Sequence, residues 1–341
     1  MATILKRVLK RLGKDSLVRW VVWYVDQNGK RRNKTFDAKA EAEAWKNRTV
    51  VEVMDGVHTP TSDSITVAEA GKLWLERGKT DGLEESTLRA YRQHLDLHIA
   101  PFVGRIKLAA FTPAHLQRLR KLLVDNGRSR DMVRRVVVSL GSIFTDAMSQ
   151  GLLARNIVCE QPRSRERRIA DRHERHLEVG VDIPTKDEIR LMLHHAKGRW
   201  RPLIVTAIFT GLRASELRGL RWEDVDLAGE TLTVRQRADH WNVIGSPKSK
   251  AGKRTVPLAP MVVSALREWK LACPKGEAGL VFPSTKGKVE ALVNIRRYGL
   301  GPVQYAAGLS TEKYSPKYSL HKLRHAAASL FIEMNWTPKR I

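Results

Sequence analysis

Apolar positions recur along this chain with two different periods. Between residues 19 and 36 the period is that of strands. Arg19-Trp20-Val21-Val22-Trp23-Tyr24-Val25 is aromatic and β-branched, and Asn28-Gly29 signals a tight turn into Lys30-Arg31-Arg32-Asn33-Lys34-Thr35-Phe36. Asp37 is placed to cap a short helix from Ala38 to about Arg48. These features predict a small sheet with one very basic strand and one helix. Such a sheet fits a DNA major groove, and a lysine-rich edge also guards against aggregation. Ahead of it, Leu5-Lys6-Arg7-Val8-Leu9-Lys10-Arg11 reads as a basic arm within residues 1–15, either a tail that orders on DNA or a solubilising one.

From residue 64 the period becomes helical. Thr66-Val67-Ala68-Glu69 is a capping box whose helix Gly78 closes. Ser86 caps a second helix that stops at Pro101, Thr112-Pro113 starts a third, and a fourth runs from about Ser129 to Gln150. The polar faces of this bundle carry many basic residues, with Arg89, Arg134 and Arg135 among the candidates for phosphate contact. Residues 159–181 lack apolar periodicity and read as a basic linker. A further capping box, Thr185-Lys186-Asp187-Glu188, opens a mixed region: a buried helix over 201–210, strands at 231–234, 240–244 and 254–258, a helix over 260–272, a strand-like 280–283, a helix around 289–299, and a last helix from Ser319. The expected division is 1–55, a linker 56–63, a helical domain 64–158, the linker 159–181 and an α+β domain 182–341. The fold class is multidomain, mainly α with small β-sheets.

Composition narrows the partner. Lys and Arg total 61 against 36 Asp and Glu, a net charge of +25, which in a folded chain implies a polyanion, most often nucleic acid. A basic RNA-binding or membrane-surface protein is the rival reading, but no apolar run is long enough to span a bilayer. The two cysteines, Cys159 and Cys273, stand in no metal-ligand spacing and fit a reducing compartment.

Candidate chemistry sits in Thr210-Gly211-Leu212-Arg213-Ala214-Ser215-Glu216-Leu217. Arg213 stands at the mouth of a helix and Glu216 lies three residues on, along the same face. An arginine oriented by a neighbouring carboxylate makes a phosphate clamp, because its planar fork matches two oxygens. Downstream come a turn, Ser246-Pro247-Lys248-Ser249-Lys250-Ala251-Gly252-Lys253, the strand Arg254-Thr255-Val256-Pro257-Leu258, and then His321-x-x-Arg324.

In this order the three pieces resemble the tyrosine recombinases, the phage-integrase family. The resemblance covers nearly the whole chain, and the boxes around Arg213 and Arg324 are its most specific parts. It implies an integrase of the heterobivalent type: an arm-type DNA-binding domain made of the N-terminal β-hairpin or sheet plus helix, a helical SAM-like core-binding domain, and an α+β catalytic domain. It implies Arg213 and Arg324 as phosphate ligands, His321 as a further donor, Lys248 as general acid with Lys250 as the alternative, and Glu216 as the carboxylate that orients Arg213. No metal or cofactor is implied. Arg19, Lys30, Arg31, Arg32 and Lys34 become candidate arm-site contacts, and Arg89, Arg134, Arg135 and Lys250 candidate contacts elsewhere on DNA. The implied partners are double-stranded DNA at core and arm sites, further copies of the chain as a tetramer on synapsed DNA, a DNA-bending host factor and an excisionase. The implied compartment is the cytoplasm of a bacterial host, at the nucleoid.

The family pattern continues past Arg324, with a second His or Trp about two dozen residues on and the nucleophilic tyrosine about nine beyond that. The sequence ends at Ile341, and Tyr298, Tyr305, Tyr314 and Tyr318 all precede the His-x-x-Arg box. The expectation is therefore a truncated integrase that holds the phosphate pocket without its nucleophile and forms no phosphotyrosyl link in cis. A tyrosine donated by another subunit would restore cleavage. The other expectation is a non-catalytic DNA-binding protein or regulator that keeps the fold.

Overall fold

The computed structural model describes residues 2–11, 14–56, 58–160, 177–247 and 252–333. The chain divides into two units, Met1–Ile169 and Ala170–Ile341. The first begins with an antiparallel meander: β1 (Thr3–Arg11), β2 (Lys14–Val25) and β3 (Arg31–Phe36). The basic N-terminal stretch is therefore an edge strand rather than a tail, with Ile4 opposite Val22 and Arg7 opposite Arg19. The β2–β3 turn is held by Asp26, whose buried carboxylate accepts from the backbone N–H groups of Asn28 (3.0 Å) and Lys30 (2.9 Å) while Gly29 takes φ +76°. Helix α1 (Lys39–Met54) is longer than expected, and Ala38 rather than Asp37 is its cap residue. Asp37 instead lies 3.3 Å from Arg19.

Strand alternation gives the sheet two faces. Trp20, Val22, Tyr24 and Phe36 share the face toward α1, where Trp45 packs edge-on to Tyr24 at 5.3 Å. Arg7, Arg19, Trp23, Arg31, Asn33 and Thr35 share the opposite face. The segment expected as a linker is bonded down: His58 is buried between the Tyr24 hydroxyl and Glu52, each 3.0 Å away.

The helical part contains α2 (Val67–Thr80), α3 (Glu85–His94), α4 (Ala100–Val103), α5 (Pro113–Asp125), α6 (Arg130–Ser149) and α7 (Ile157–Glu160). Thr66 and Thr112 close reciprocal caps with Glu69 and His115. Gly78 is interior to α2, which ends only at Thr80, and Glu84 rather than Ser86 is the cap residue of α3. A wide π turn, Leu95–Ile99, links α3 to α4, so the helical path passes Pro101 instead of stopping there. Proline has no N–H to donate and its ring crowds the preceding turn; a wider turn relieves the crowding. Leu116, Leu119, Leu140, Ile143 and Phe144 are fully enclosed, each contributing about 1.5–3 kcal/mol of burial. Arg77 clamps Asp146 with two nitrogens, tying α2 to α6.

The second unit is built on α9 (Trp200–Thr210), whose Leu203-Ile204-Val205-Thr206-Ala207-Ile208 run is buried all round. It packs between α11 (Pro260–Ala272) and α14 (Leu320–Glu333), and α8 (Lys186–His195) opens with the Thr185–Glu188 box. Helix α10 is short, Ala214–Gly219. The sheet joins β4 (Val225–Asp226), β5 (Thr231–Val234) and β8 (Arg254–Pro257) in that order. The strand expected over 240–244 is replaced by a hairpin of β6 (Arg237–Ala238) and β7 (Ile244–Gly245), with His240 in its turn. Asp239 enforces that turn by accepting from the N–H groups of Trp241 (2.8 Å) and Val243 (2.9 Å). Residues 280–283 make single bridges, Arg221 to Leu280 and Pro283 to Val289, rather than a strand. The helix expected around 289–299 starts at Leu292 and continues as α12 (Leu292–Asn294), a π turn (Ile295–Leu300) and α13 (Gly301–Ala306); a wide turn again precedes a proline, Pro302.

A candidate phosphate-binding site

Helix α9 ends at Gly211, which takes φ +60°, and the chain restarts as α10 at Arg213. The reversal leaves the Gly211 carbonyl free to accept from Arg324 of α14. Glu216 is 3% exposed and gathers four donors. Its Oε2 accepts from the Arg213 backbone N–H and from Arg254 Nη2, both at 2.9 Å. Its Oε1 accepts from Arg213 Nη1 (2.8 Å) and Arg254 Nη1 (3.2 Å). Burial pushes this carboxyl up, but the bonds from Arg254 and Arg213 outweigh that and hold it below its usual range. The Arg213 side chain stays 54% exposed, with one nitrogen on Glu216 and the rest of its fork open. Arg324 is half-buried, and burial followed by repulsion from Arg213 lowers its pKa. An anion between these arginines would relieve that repulsion.

His321 is exposed at the start of α14, three residues before Arg324, and its Nε2 lies 3.1 Å from Nε2 of His325. Burial, His321 and Arg324 together lower the His325 pKa. His325, which matches no family position and reads from the sequence as structural or solvent-facing, thus belongs to the same corner, four residues on from His321 along one helix. His240, likewise given no role from the sequence, lies apart in the hairpin turn. Lys248 and Lys250 lie outside the described residues. The flanks of their segment are described: a Cβ on Gly252 would stand 2.6 Å from Pro247 Cβ, and Arg254 Nη1 donates to the Gly252 carbonyl at 3.2 Å.

Two arginines were not singled out by sequence reasoning. Arg254 is the second cation on Glu216. Its one sequence signal is parity with Val256, which marks the inward face of β8. Arg218 is 2% exposed and donates to the carbonyls of Glu290 (2.7 Å) and Asp239 (2.8 Å) and to Asn242 Oδ1. Gln236 reaches the Gly219 carbonyl at 2.8 Å, and a Cβ on Gly219 would lie 2.7 Å from the Arg237 backbone. The 237–245 hairpin is thereby fastened onto α10.

The expected DNA contacts separate by face. Lys30 and Arg31 are exposed, and Arg19 shares the open face of the sheet with Arg31. Arg32 is turned inward and bonded to Asp26 at 2.9 Å, to Ser62 at 2.7 Å and to Asp63, so its donors are committed within the unit. Lys34 is also turned inward, 5.0 Å from the Trp45 ring centroid, and burial followed by the Arg48 charge lowers its pKa. Arg89, Arg134 and Arg135 are exposed on the bundle.

Two arginines at a helix junction, one braced by a buried carboxylate, with a histidine on the helix that bears the other, form an arrangement chemically suited to a phosphodiester. The comparisons with known proteins give the class a family: residues 184–341 match the Phage integrase family and residues 66–124 its N-terminal SAM-like domain, and the chain belongs to this family. The putative prophage phiRv2 integrase of Mycobacterium tuberculosis is 26% identical over 339 residues, covering 95% of this chain and 84% of that protein. The tyrosine recombinase XerC-like protein of Caldanaerobacter subterraneus is 26% identical over 260 residues, covering 71% of this chain but 65% of that protein. The fold matches that of the Tn1549 transposon integrase in complex with a circular intermediate DNA, with a TM-score of 0.65 at 19% identity over 81% of this chain and 90% of that one. It also matches a lambda integrase tetramer bound to a Holliday junction, with a TM-score of 0.59 at 20% identity over 93% and 90% of the two chains.

Proposed function

We propose that the protein is a site-specific DNA recombinase of a phage or other mobile element, cutting and rejoining DNA through a 3′-phosphotyrosyl intermediate. Family membership and relatives described as integrases support the reaction class. The observation that carries it to residues is the junction at Gly211, where Arg213 is braced by the Glu216 carboxylate and Arg324 is held by the Gly211 carbonyl. In the reaction, negative charge builds on the non-bridging oxygens of the scissile phosphate. Arg213 and Arg324 neutralise it, and preorganised donors of this kind are worth about 3–4 kcal/mol each. His321 adds a donor from the same helix as Arg324. A lysine of the 246–253 turn, Lys248 in preference to Lys250, protonates the leaving 5′-oxygen. The attacking tyrosine has no candidate among the described residues, so the proposal assigns the pocket and not the attacker.

The open face of the N-terminal sheet, with Arg19 and Arg31, takes arm-type sites, and the bundle with Arg89, Arg134 and Arg135 takes core sites together with the second unit. We assign these to the sequence divisions 1–55, 64–158 and 182–341. The lambda integrase structure is a tetramer on a Holliday junction, which supports a tetramer here when two duplexes are synapsed. A DNA-bending host factor, an excisionase and a cytoplasmic, nucleoid-associated location complete the proposal. Among the described residues no helix is long and apolar enough to cross a membrane.

The test is covalent capture. Full-length gene product is mixed with a nicked duplex spanning the junction between element and host, and the mixture is resolved under denaturing conditions. A protein–DNA adduct that Arg213→Ala and Arg324→Ala abolish is the expected result. Tight duplex binding with no adduct would instead make the protein a DNA-binding regulator on an integrase fold.

A further inference from the structure

The ion pairs at α10 leave an unequal charge balance. Glu216 carries one negative charge and is enclosed, while Arg213 and Arg254 each bring one positive charge to it. Arg254 is the more committed partner: both its terminal nitrogens are on Glu216, and Nη1 also meets the Gly252 carbonyl. Arg213 gives Glu216 one side-chain nitrogen and leaves the remainder in solvent. The geometry points to Arg254 as the counter-ion of Glu216, a positioning residue that leaves the charge of Arg213 free for the scissile phosphate.

A buried carboxylate must be neutralised. With Arg254 present, the triad keeps one surplus positive charge, and Arg213 is the member that faces out. Without Arg254, Glu216 has only Arg213 to neutralise it, the pair becomes net neutral, and the fork turns inward to chelate the carboxylate. The pocket would then hold phosphate through Arg324 without the help of Arg213, although Arg213 itself is intact. Arg254 touches no substrate in this scheme and acts through Glu216 and Arg213. Its partner on the other side, the Gly252 carbonyl, fixes Arg254 at the start of β8 so that the fork cannot follow Arg213 outward.

The inference rests on the recombinase reading, and charge compensation tests it. Wild type, Arg254→Gln, Arg254→Lys and the double variant Glu216→Gln with Arg254→Gln are compared for binding to the element–host junction duplex as salt is varied, and for adduct formation. Arg254→Gln should lose one phosphate contact, making the log–log salt slope shallower by about 0.9, and should slow adduct formation by about 100-fold. The double variant restores the surplus charge on Arg213, so it should regain the wild-type slope and recover at least about tenfold of the rate. Arg254→Lys, which keeps the charge but not the fork, should fall between them. A double variant no better than Arg254→Gln, with all proteins equally folded by circular dichroism, would overturn the counter-ion role. Wild type that binds but forms no adduct overturns the strand-transfer reading, and the salt slopes then decide the counter-ion role alone. Wild type that binds no duplex overturns both.

Discussion

Arg218 offers the sharpest check on how the second unit is held together. Arg218→Met keeps the aliphatic stem and removes the guanidinium, leaving the Glu290 and Asp239 carbonyls and the Asn242 amide oxygen without their donor. Hydrogen bonds from a charged donor are worth about 1.5–3 kcal/mol each. Three give about 4.5–9 kcal/mol on that scale, and the desolvation cost of a guanidinium that is 2% exposed offsets several kcal/mol of it. The net loss should be about 2–4 kcal/mol. For a unit of this size, each kcal/mol lowers the melting temperature by about 2–4 °C, so a fall of about 4–16 °C is expected. The loss should be local as well as global, because Arg218 fastens the 237–245 hairpin. Calorimetry reads the first effect. Hydrogen exchange of the Val243 and Asp239 amides reads the second, since Asp239 N–H donates to the Val243 carbonyl at 2.9 Å. Unchanged melting, or exchange that accelerates everywhere except in the hairpin, would refute the fastening role.

Three further outcomes are expected. Arg213→Lys should keep duplex binding within about threefold but reduce adduct formation by about 100-fold or more, because a point charge cannot replace the fork; undiminished cleavage would rule out the clamp. Arg31→Ala should weaken arm-site binding and flatten its salt dependence by about one phosphate contact, read by fluorescence anisotropy, whereas Arg32→Ala should lower the melting temperature of the first unit instead, since Arg32 is occupied by Asp26, Ser62 and Asp63. Burial is the leading cause that lowers the pKa of His94, His98 and His325. The folded protein therefore binds fewer protons than the unfolded chain, stability is full above the ordinary histidine value of 6.5, and it is lost as pH falls through that value toward the folded ones. Melting curves taken from about pH 7 down to 5 should show the decline, and His94→Gln should lessen it.

Features governed by local chemistry were legible in the sequence. The boxes at Thr66 and Thr185 formed as spaced, because a cap needs only a residue and its neighbour three positions on. Glu216 bracing Arg213 was readable for the same reason. What was missed depends on distant partners. Arg254 meets Glu216 across 38 positions, and no periodicity announces such a pair. The N-terminal strand looked like a tail because charged residues occupy both of its faces, and only its pairing with β2 makes it a strand. The inward turn of Arg32 and Lys34 was within reach. They share parity with Phe36, which packs against Trp45, while Arg31 and Thr35 share the other parity. The π turn before Pro101 escaped because that proline was treated as a stop, although a wider turn lets a helix pass it.

Tyr318 has a practical consequence for building hybrid proteins. It is fully enclosed, its hydroxyl lies 2.8 Å from the Gly180 carbonyl and 2.9 Å from Glu188 Oε2, and Lys322 of α14 reaches the Val181 carbonyl at 3.1 Å. The seam at which a foreign DNA-binding half can be grafted therefore lies upstream of Glu178. A graft joined at Asp182, where the sequence alone would put the boundary, would cut away Gly180 and Val181 and strip their carbonyls from the foot of the helix that carries His321 and Arg324.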